Sequence, residues 1–191
     1  MIGSHDSFTY LDSTSNFMNL ITRFWRCQNK NIIEQYNFGV RYFDVRVVRE
    51  VDSNGKNIWR LCHGQAELTK TFKTIQSICA YFIGSLKGSI FELWLEKGNE
   101  DDWNCFKDEA LPLTIKYNCI AQIVRKNPET IIYRSPNFPQ KISTQFNNWN
   151  LRTIIKNLFS SPIKNNAKKY NPKITQEMIN NPNINYFMDY I

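Results

Sequence analysis

The stretch Val40–Val48 reads VRYFDVRVV, and its pattern decides the class of fold. β-Branched and aromatic residues dominate it, the composition of an extended strand. Two charges interrupt it, Asp44 and Arg46. Strand side chains alternate, so this carboxylate and this guanidinium point to the same side. Downstream, Asp52-Ser53-Asn54-Gly55 signals a turn, and a second strand is predicted over Asn57–Cys62 (NIWRLC), ending at His63-Gly64. Upstream, Asp12-Ser13-Thr14-Ser15 reads as a helix N-cap region. Asn16–Gln28 then repeats apolar residues at Phe17, Leu20, Ile21, Phe24 and Trp25, the spacing of an amphipathic helix. Asn31–Tyr36 adds a helical turn before Gly39.

Further along, Thr71–Leu86 is predicted helical, with Phe72, Ile75, Ile78, Cys79 and Phe82 on one face, and Ser89–Leu95 (SIFELWL) as a strand. Glu100–Asp108 is polar and reads as loop passing into helix. Ile115–Lys126 reads as helix, stopped by Asn127-Pro128. Short strands are expected at Thr130–Tyr133, Arg152–Ile155 and Asn185–Ile191, with an exposed Lys- and Asn-rich loop over Ser160–Pro172. Strands alternating with helices indicate a parallel α/β arrangement. The strand candidates fall short of a full set of eight, so the expected fold is a distorted or incomplete TIM-like (β/α) barrel. A length of 191 residues suits one domain, residues 1–191.

Composition narrows the partners. The chain is 42% hydrophobic and 21% charged, and no apolar run approaches the roughly 18–20 residues of a membrane span. Met1 leads at once into polar residues rather than a basic and then apolar stretch, so no signal peptide is read. The expectation is a soluble protein of unassigned location, able to act at a membrane surface. Five dispersed cysteines without a CxxC pair, beside only two histidines, read as buried free thiols rather than a zinc set. A net charge of +7 favours anionic partners: nucleic acid, phospholipid headgroups or phosphorylated small molecules.

Both histidines stand at strand ends, His5 beside Asp6 and His63 before Gly64. In a barrel of this class the C-terminal strand ends share one face, so the two imidazoles can converge although distant in sequence. Asp44 orients Arg46, whose guanidinium can grip two phosphate oxygens. Two histidines and one fixed cation suffice for a cyclising phosphodiester cleavage, one His as base and the other as acid.

These residues carry a resemblance. Ile2-Gly3-Ser4-His5-Asp6-Ser7, Gly39–Arg46 (GVRYFDVR) and Leu61-Cys62-His63-Gly64 resemble, in order, three motifs of the phosphatidylinositol-specific phospholipase C X domain. Cys27-Gln28, Gln35 and Gly39 fall where that family runs into its second strand, and Tyr186–Tyr190 resembles its last barrel strand. The match is firm over residues 2–97. The resemblance implies His5 as general base oriented by Asp189, His63 as general acid assisted by Asp6, and Arg46 on the phosphate with Asp44 beside it. The implied reaction releases diacylglycerol and a cyclic inositol phosphate from phosphatidylinositol or a glycosylated form.

Asp6 and Arg46 follow the family's metal-independent bacterial pattern, so no metal or other cofactor is expected. The alternative is calcium held by Asp6, Asp44 and Glu96. Glu96 departs from the bacterial pattern and reads as a partner of Arg46 or Lys97, or as a contact to inositol hydroxyls. Lys97, Arg134 and Arg152 are candidates for substrate binding. Peripheral membrane contact is expected through Trp103 in its polar stretch, with Trp25 and Trp94 read as core, Trp149 a further aromatic candidate, and Lys164, Lys168 and Lys169 facing anionic lipid. Two other readings compete: a cyclising ribonuclease, disfavoured because no RNA-binding module is visible, and a non-catalytic phosphoinositide-binding domain of the same fold.

Overall fold

A strip of parallel strands runs through the computed structural model, which describes residues 2–136, 141–143, 167–168, 171–172 and 185–188. The chain begins with β1 (Ile2–Ser4), α1 (Asn16–Leu20), a 3-10 turn (Thr22–Phe24) and α2 (Ile32–Asn37). The long β2 (Val40–Val51) follows, then β3 (Asn57–His63), β4 (Ala66–Phe72), α3 (Ile75–Ser85) and β5 (Ile90–Leu95). The remaining elements are α4 (Glu100–Lys116), β6 (Ile120–Arg125), β7 (Thr130–Arg134), β8 (Lys141–Ser143) and β9 (Asn185–Met188).

The sheet order is β7-β6-β5-β2-β1-β9-β8, with β3 and β4 added as a hairpin on the far half of β2. Pairing is parallel from β6 through β8, and among the described strands the antiparallel pairs are β6–β7, β2–β3 and β3–β4. The fold is therefore mixed α/β with a parallel core, as expected. Its end strands β7 and β8 are not paired with each other among the described residues, so the sheet is open there rather than a closed barrel.

Alternation in β2 divides the sheet into two chemically different faces. Phe43, Val45 and Val47 join Phe91, Leu93, Leu95 and Ile123 in a core completed by Ile78 and Phe82 of α3 and Phe106 and Leu113 of α4. Tyr42, Asp44 and Arg46 face the other way, in register with Ile90, Glu92 and Trp94 of β5. Gln122 of β6 continues the Asp44–Glu92 row. This second face is buried yet polar: the Tyr42 hydroxyl donates to Glu92 at 3.4 Å and Gln122 Nε2 donates to the same oxygen at 2.7 Å.

Several local expectations need correction. Ala66–Phe72 is a strand, so Thr71 and Phe72 belong to β4, and α3 starts behind a Thr74–Ser77 capping box. Residues Ile120–Arg125 are strand, not helix: β6 is buried on both faces, and a short apolar run of that kind carries no periodicity that separates strand from helix. Helix α4 begins at once at Glu100, because Asn99 caps it and Glu100, Asp101 and Asp102 complement the positive end of its dipole. The helix expected over Asn16–Gln28 stops at Leu20. Phe17 is 67% and Leu20 81% exposed, so their spacing reflects no packing against the core. Trp103 is 5% exposed against Phe106 and is no rim anchor, since α4 turns it inward. Four of the five cysteines are buried, and among the described residues none of the five forms a disulfide, as expected. The Arg152–Ile155 strand, Trp149, Lys164 and Lys169 lie outside the described residues.

Candidate active site

Parallel strands deliver their C-terminal ends to one side of the sheet, and the charged groups gather there. His5 and Asp6 leave the end of β1, Arg46 lies near the level where β2 passes β5, Glu96 follows β5, and Lys126 follows β6. His63 closes β3, brought back over this end by the hairpin.

The loop after β1 is held from several sides. Asp6 adopts φ +45°, a strained value for a non-glycine residue. Its backbone N–H donates to Asp44 Oδ2 at 3.3 Å, while Ser7 N–H donates to the Asp44 carbonyl at 3.0 Å. The Ser7 hydroxyl accepts from the Asp44 N–H at 2.9 Å, and Thr9 Oγ1 donates to the Asp6 carbonyl at 2.8 Å. Gln28 Nε2 reaches the His5 carbonyl at 3.1 Å, and Gln35 Nε2 the Ser7 carbonyl at 2.8 Å. A buried polar network this well satisfied fixes side-chain positions, and such positions are needed to orient reacting groups.

Arg46 is the hub. Nε lies 2.5 Å from Asp6 Oδ1, Nη2 lies 2.8 Å from Asp44 Oδ2, and Nη1 lies 3.3 Å from Glu96 Oε2. Its guanidinium carbon sits 5.5 Å from the ring centre of Trp94, the neighbour of Arg46 in the β2–β5 register. Trp94, read as core from sequence, is thus a half-buried wall of the site. Burial alone would raise the carboxyls of Asp6 and Asp44. Burial is the largest single influence on each, but Arg46 together with His5 and His63 at Asp6, and Arg46 by charge and hydrogen bond together with His5 at Asp44, outweigh it, and both are held below the usual carboxylate range. Burial would likewise lower Arg46, but Asp44 and Asp6 hold it well above its ordinary value.

The histidines meet on one atom. Asp6 Oδ2 lies 3.2 Å from His5 Nε2 and 3.0 Å from His63 Nε2, with the ring centres 6.3 Å apart. Their surroundings differ. His63 Nδ1 is 2.6 Å from the Trp25 carbonyl, which only accepts, so it carries the proton there. With ionised Asp6 at Nε2, both nitrogens of His63 face acceptors, the arrangement of a proton donor. His5 Nε2 stands 3.2 Å from Arg46 Nη2, which only donates, and 3.2 Å from Asp6 Oδ2, which accepts. Either protonation state of His5 therefore finds a partner, as a group that takes up and returns a proton requires.

Glu96 is 2% exposed. It engages Arg46, accepts from the Gly64 N–H at 2.9 Å and pairs with Lys126 Nζ. Lys97 instead pairs with Glu67 at 2.6 Å, because side chains alternate past the strand end. Lys126 is the residue that sequence reasoning missed. The strand ending at Arg125 was the only signal for it, hidden by the helical reading. Arg134 is exposed on β7 opposite Gln122, in the row of Asp44 rather than that of Arg46. Asp189 and Arg152 lie outside the described residues. Asp6, Asp44 and Glu96, the carboxylates expected to hold calcium in the alternative reading, all pair with Arg46, so a cation bound by the three together would have to displace the guanidinium.

No protein-family model matches the sequence, and no curated protein is similar to it by sequence. Solved structures do resemble the fold. The phosphatidylinositol-specific phospholipase C of Listeria monocytogenes superposes with a TM-score of 0.64 at 15% identity, covering 100% of this chain and 87% of its own. Variants of the Staphylococcus aureus phosphatidylinositol-specific phospholipase C give TM-scores of 0.59 and 0.58 at 14% and 16% identity, with 85% of each covered. At these identities the likeness establishes a shared fold.

Proposed function

We propose that this chain is a phosphodiesterase of the phospholipase C type that acts on phosphatidylinositol or a glycosylated form of it. The shared fold supports the enzyme class, and the convergence of His5 and His63 on Asp6 beside Arg46 supports the chemistry. His5 Nε2 takes the proton of the inositol 2-hydroxyl as that oxygen bonds to phosphorus. Arg46 stabilises the charge that develops on the phosphoryl oxygens. The bond from phosphorus to the glycerol oxygen breaks, and His63 Nε2 protonates the leaving oxygen. Diacylglycerol and an inositol cyclic phosphate result, and water can open the ring in a second step with the histidines exchanging roles.

The position of the guanidinium among three carboxylates supports catalysis without a metal, since it supplies positive charge where calcium would otherwise be needed. Contact with a membrane is supported by α1. Its exposed Phe17 and Leu20 flank Met18, whose carbonyl accepts from the Trp25 indole N–H at 2.8 Å, and the Trp25 carbonyl in turn holds His63. The test is phosphorus NMR of the protein with phosphatidylinositol vesicles in excess chelator. Appearance of the cyclic phosphate is expected. Turnover only after calcium is added would overturn the metal-independent reading, and headgroup binding without turnover under either condition would leave a binding domain of this fold.

A further inference from the structure

Cys27 has no part in this chemistry, yet its Sγ lies 3.6 Å from Asp6 Oδ2 in the centre of the site. We infer that His5 Nε2, Asp6 Oδ2 and Cys27 Sγ form a binding site for a thiophilic divalent cation of the zinc class, and that filling it blocks the two-histidine site. The blocking role rests on the proposed function; the binding site does not.

The geometry is that of a ligand set. All three atoms lie within 4.8 Å of one another. Zinc bonds of about 2.0–2.1 Å to nitrogen and oxygen and about 2.3 Å to sulfur imply tetrahedral edges of roughly 3.3 Å between N and O and roughly 3.6 Å between S and O. The corresponding distances here are 3.2 Å from His5 Nε2 to Asp6 Oδ2 and 3.6 Å from Cys27 Sγ to Asp6 Oδ2. A mixed sulfur, nitrogen and oxygen set selects zinc-like ions over calcium or magnesium, which require oxygen. Asp6 is held in place by its strained backbone and by Arg46, so one ligand is already oriented.

Charge allows the ion in. Asp6, Asp44 and Glu96 place three carboxylates in the cluster against the two cations Arg46 and Lys126. On binding, Cys27 gives its thiol proton to solvent, and the sulfur bonds to the metal as thiolate. His5 Nε2 exchanges its contact with Arg46 Nη2, 3.2 Å away, for a bond to the ion through its lone pair and is then no longer a base. Three protein ligands leave the fourth position to water.

Cobalt(II) reports such a site by absorption. The full chain, reduced with a phosphine, is titrated with cobalt(II). One equivalent is expected to give tetrahedral ligand-field bands together with a thiolate-to-cobalt charge-transfer band, displaced by zinc. Cys27→Ser should remove the charge-transfer band and weaken zinc binding at least ~10-fold, the smallest loss usual for even an outer partner of a metal. Cys105→Ser, at the half-exposed cysteine, should change neither. In the phosphodiesterase assay, the zinc concentration that fills the site should stop turnover, chelator should restore it, and Cys27→Ser should turn over in zinc. Absence of the charge-transfer band in the unaltered chain overturns the site whether or not the variants fold, as does its persistence in Cys27→Ser. Filling of the site with turnover unaffected overturns the block. A chain that binds cobalt as described but never cleaves phosphatidylinositol keeps the site while refuting the proposed enzyme.

Discussion

The two faces of β2 use alternate residues of one strand for opposite purposes. Phe43, Val45 and Val47 meet α3 and α4 in an apolar layer, where Phe82 stacks on Phe91 at 4.4 Å and meets Phe43 edge-on at 5.5 Å. Tyr42, Asp44 and Arg46 look into a buried polar layer in which nearly every charge is paired. The first face stabilises the fold by removing hydrocarbon from water, and the second spends stability on holding charges in place. If that division is real, substitutions on the two faces should fail in different ways.

The widest separation is expected from the histidines. His5→Ala or His63→Ala should each lower phosphatidylinositol turnover by on the order of 10²–10⁴-fold, the usual contribution of a general acid or base, while thermal stability stays near that of the parent. Turnover by phosphorus NMR and melting by circular dichroism on the same samples check both halves. A collapse of the fold with either change would place the histidines in the structural account instead.

Arg46→Met breaks the division from the charged side. It leaves Asp6, Asp44 and Glu96 buried without their common cation, so stability at neutral pH should fall by about 3–5 kcal/mol along with activity. The pH dependence sharpens this. Asp6 and Asp44 have folded values below the unfolded Asp value of about 3.9, so their contribution is fully present above that value and is lost as pH falls through the lower folded values. Arg46 is the largest cause lowering both, so Arg46→Met should flatten the acid limb of unfolding, its stability loss being largest at neutral pH and narrowing as pH falls and the carboxylates protonate. An unchanged limb would mean that other groups govern acid unfolding.

Much of the charged face was legible because His5, Asp6 and His63 sit at strand ends, Asp44 and Arg46 alternate within a strongly patterned strand, and the family resemblance pointed to Glu96. His5, Asp6, Asp44, Arg46, His63 and Glu96 were all identified from sequence, and the structure brings the six together. The arm contributed by β6 was not legible. A strand buried on both faces reads IAQIVR without alternation, so Lys126 was assigned to a helix end. The hairpin strand β4 was hidden in the same way, since Thr71 and Phe72 match a helical pattern that packing does not use. Trp103 shows the converse failure: polar neighbours suggested a surface, but α4 exposes those neighbours and buries the indole.

From the apolar side, Phe82→Ala should cost about 3–5 kcal/mol, the range for emptying a buried aromatic site. Phe82 is fully buried among Phe8, Phe43, Tyr81 and Phe91, in the apolar cluster that Phe43, Val45 and Val47 of β2 join. Denaturant titration measures the loss, and turnover per folded molecule at low temperature should be unchanged. A fall in turnover per folded molecule would show that the two faces are mechanically coupled through β2.

The smallest effect concerns residues that belong to neither face. Phe17 and Leu20 are exposed on α1, where a side chain contributes nothing to the core and Ser should therefore leave stability within about 0.5 kcal/mol of the parent. If α1 rests on the lipid surface, the double change Phe17→Ser/Leu20→Ser removes the apolar area that enters it. Co-sedimentation with phosphatidylinositol vesicles should then weaken by on the order of 10-fold, less than full burial of both side chains would give. Turnover of a water-soluble short-chain substrate below its micelle concentration should not change, because Phe17 and Leu20 are exposed and α1 is linked to His63 through Met18 and Trp25, which the double change leaves in place. Loss on both substrates would mean that the segment orients His63 rather than meeting lipid. Loss on neither would move the membrane contact to another part of the chain.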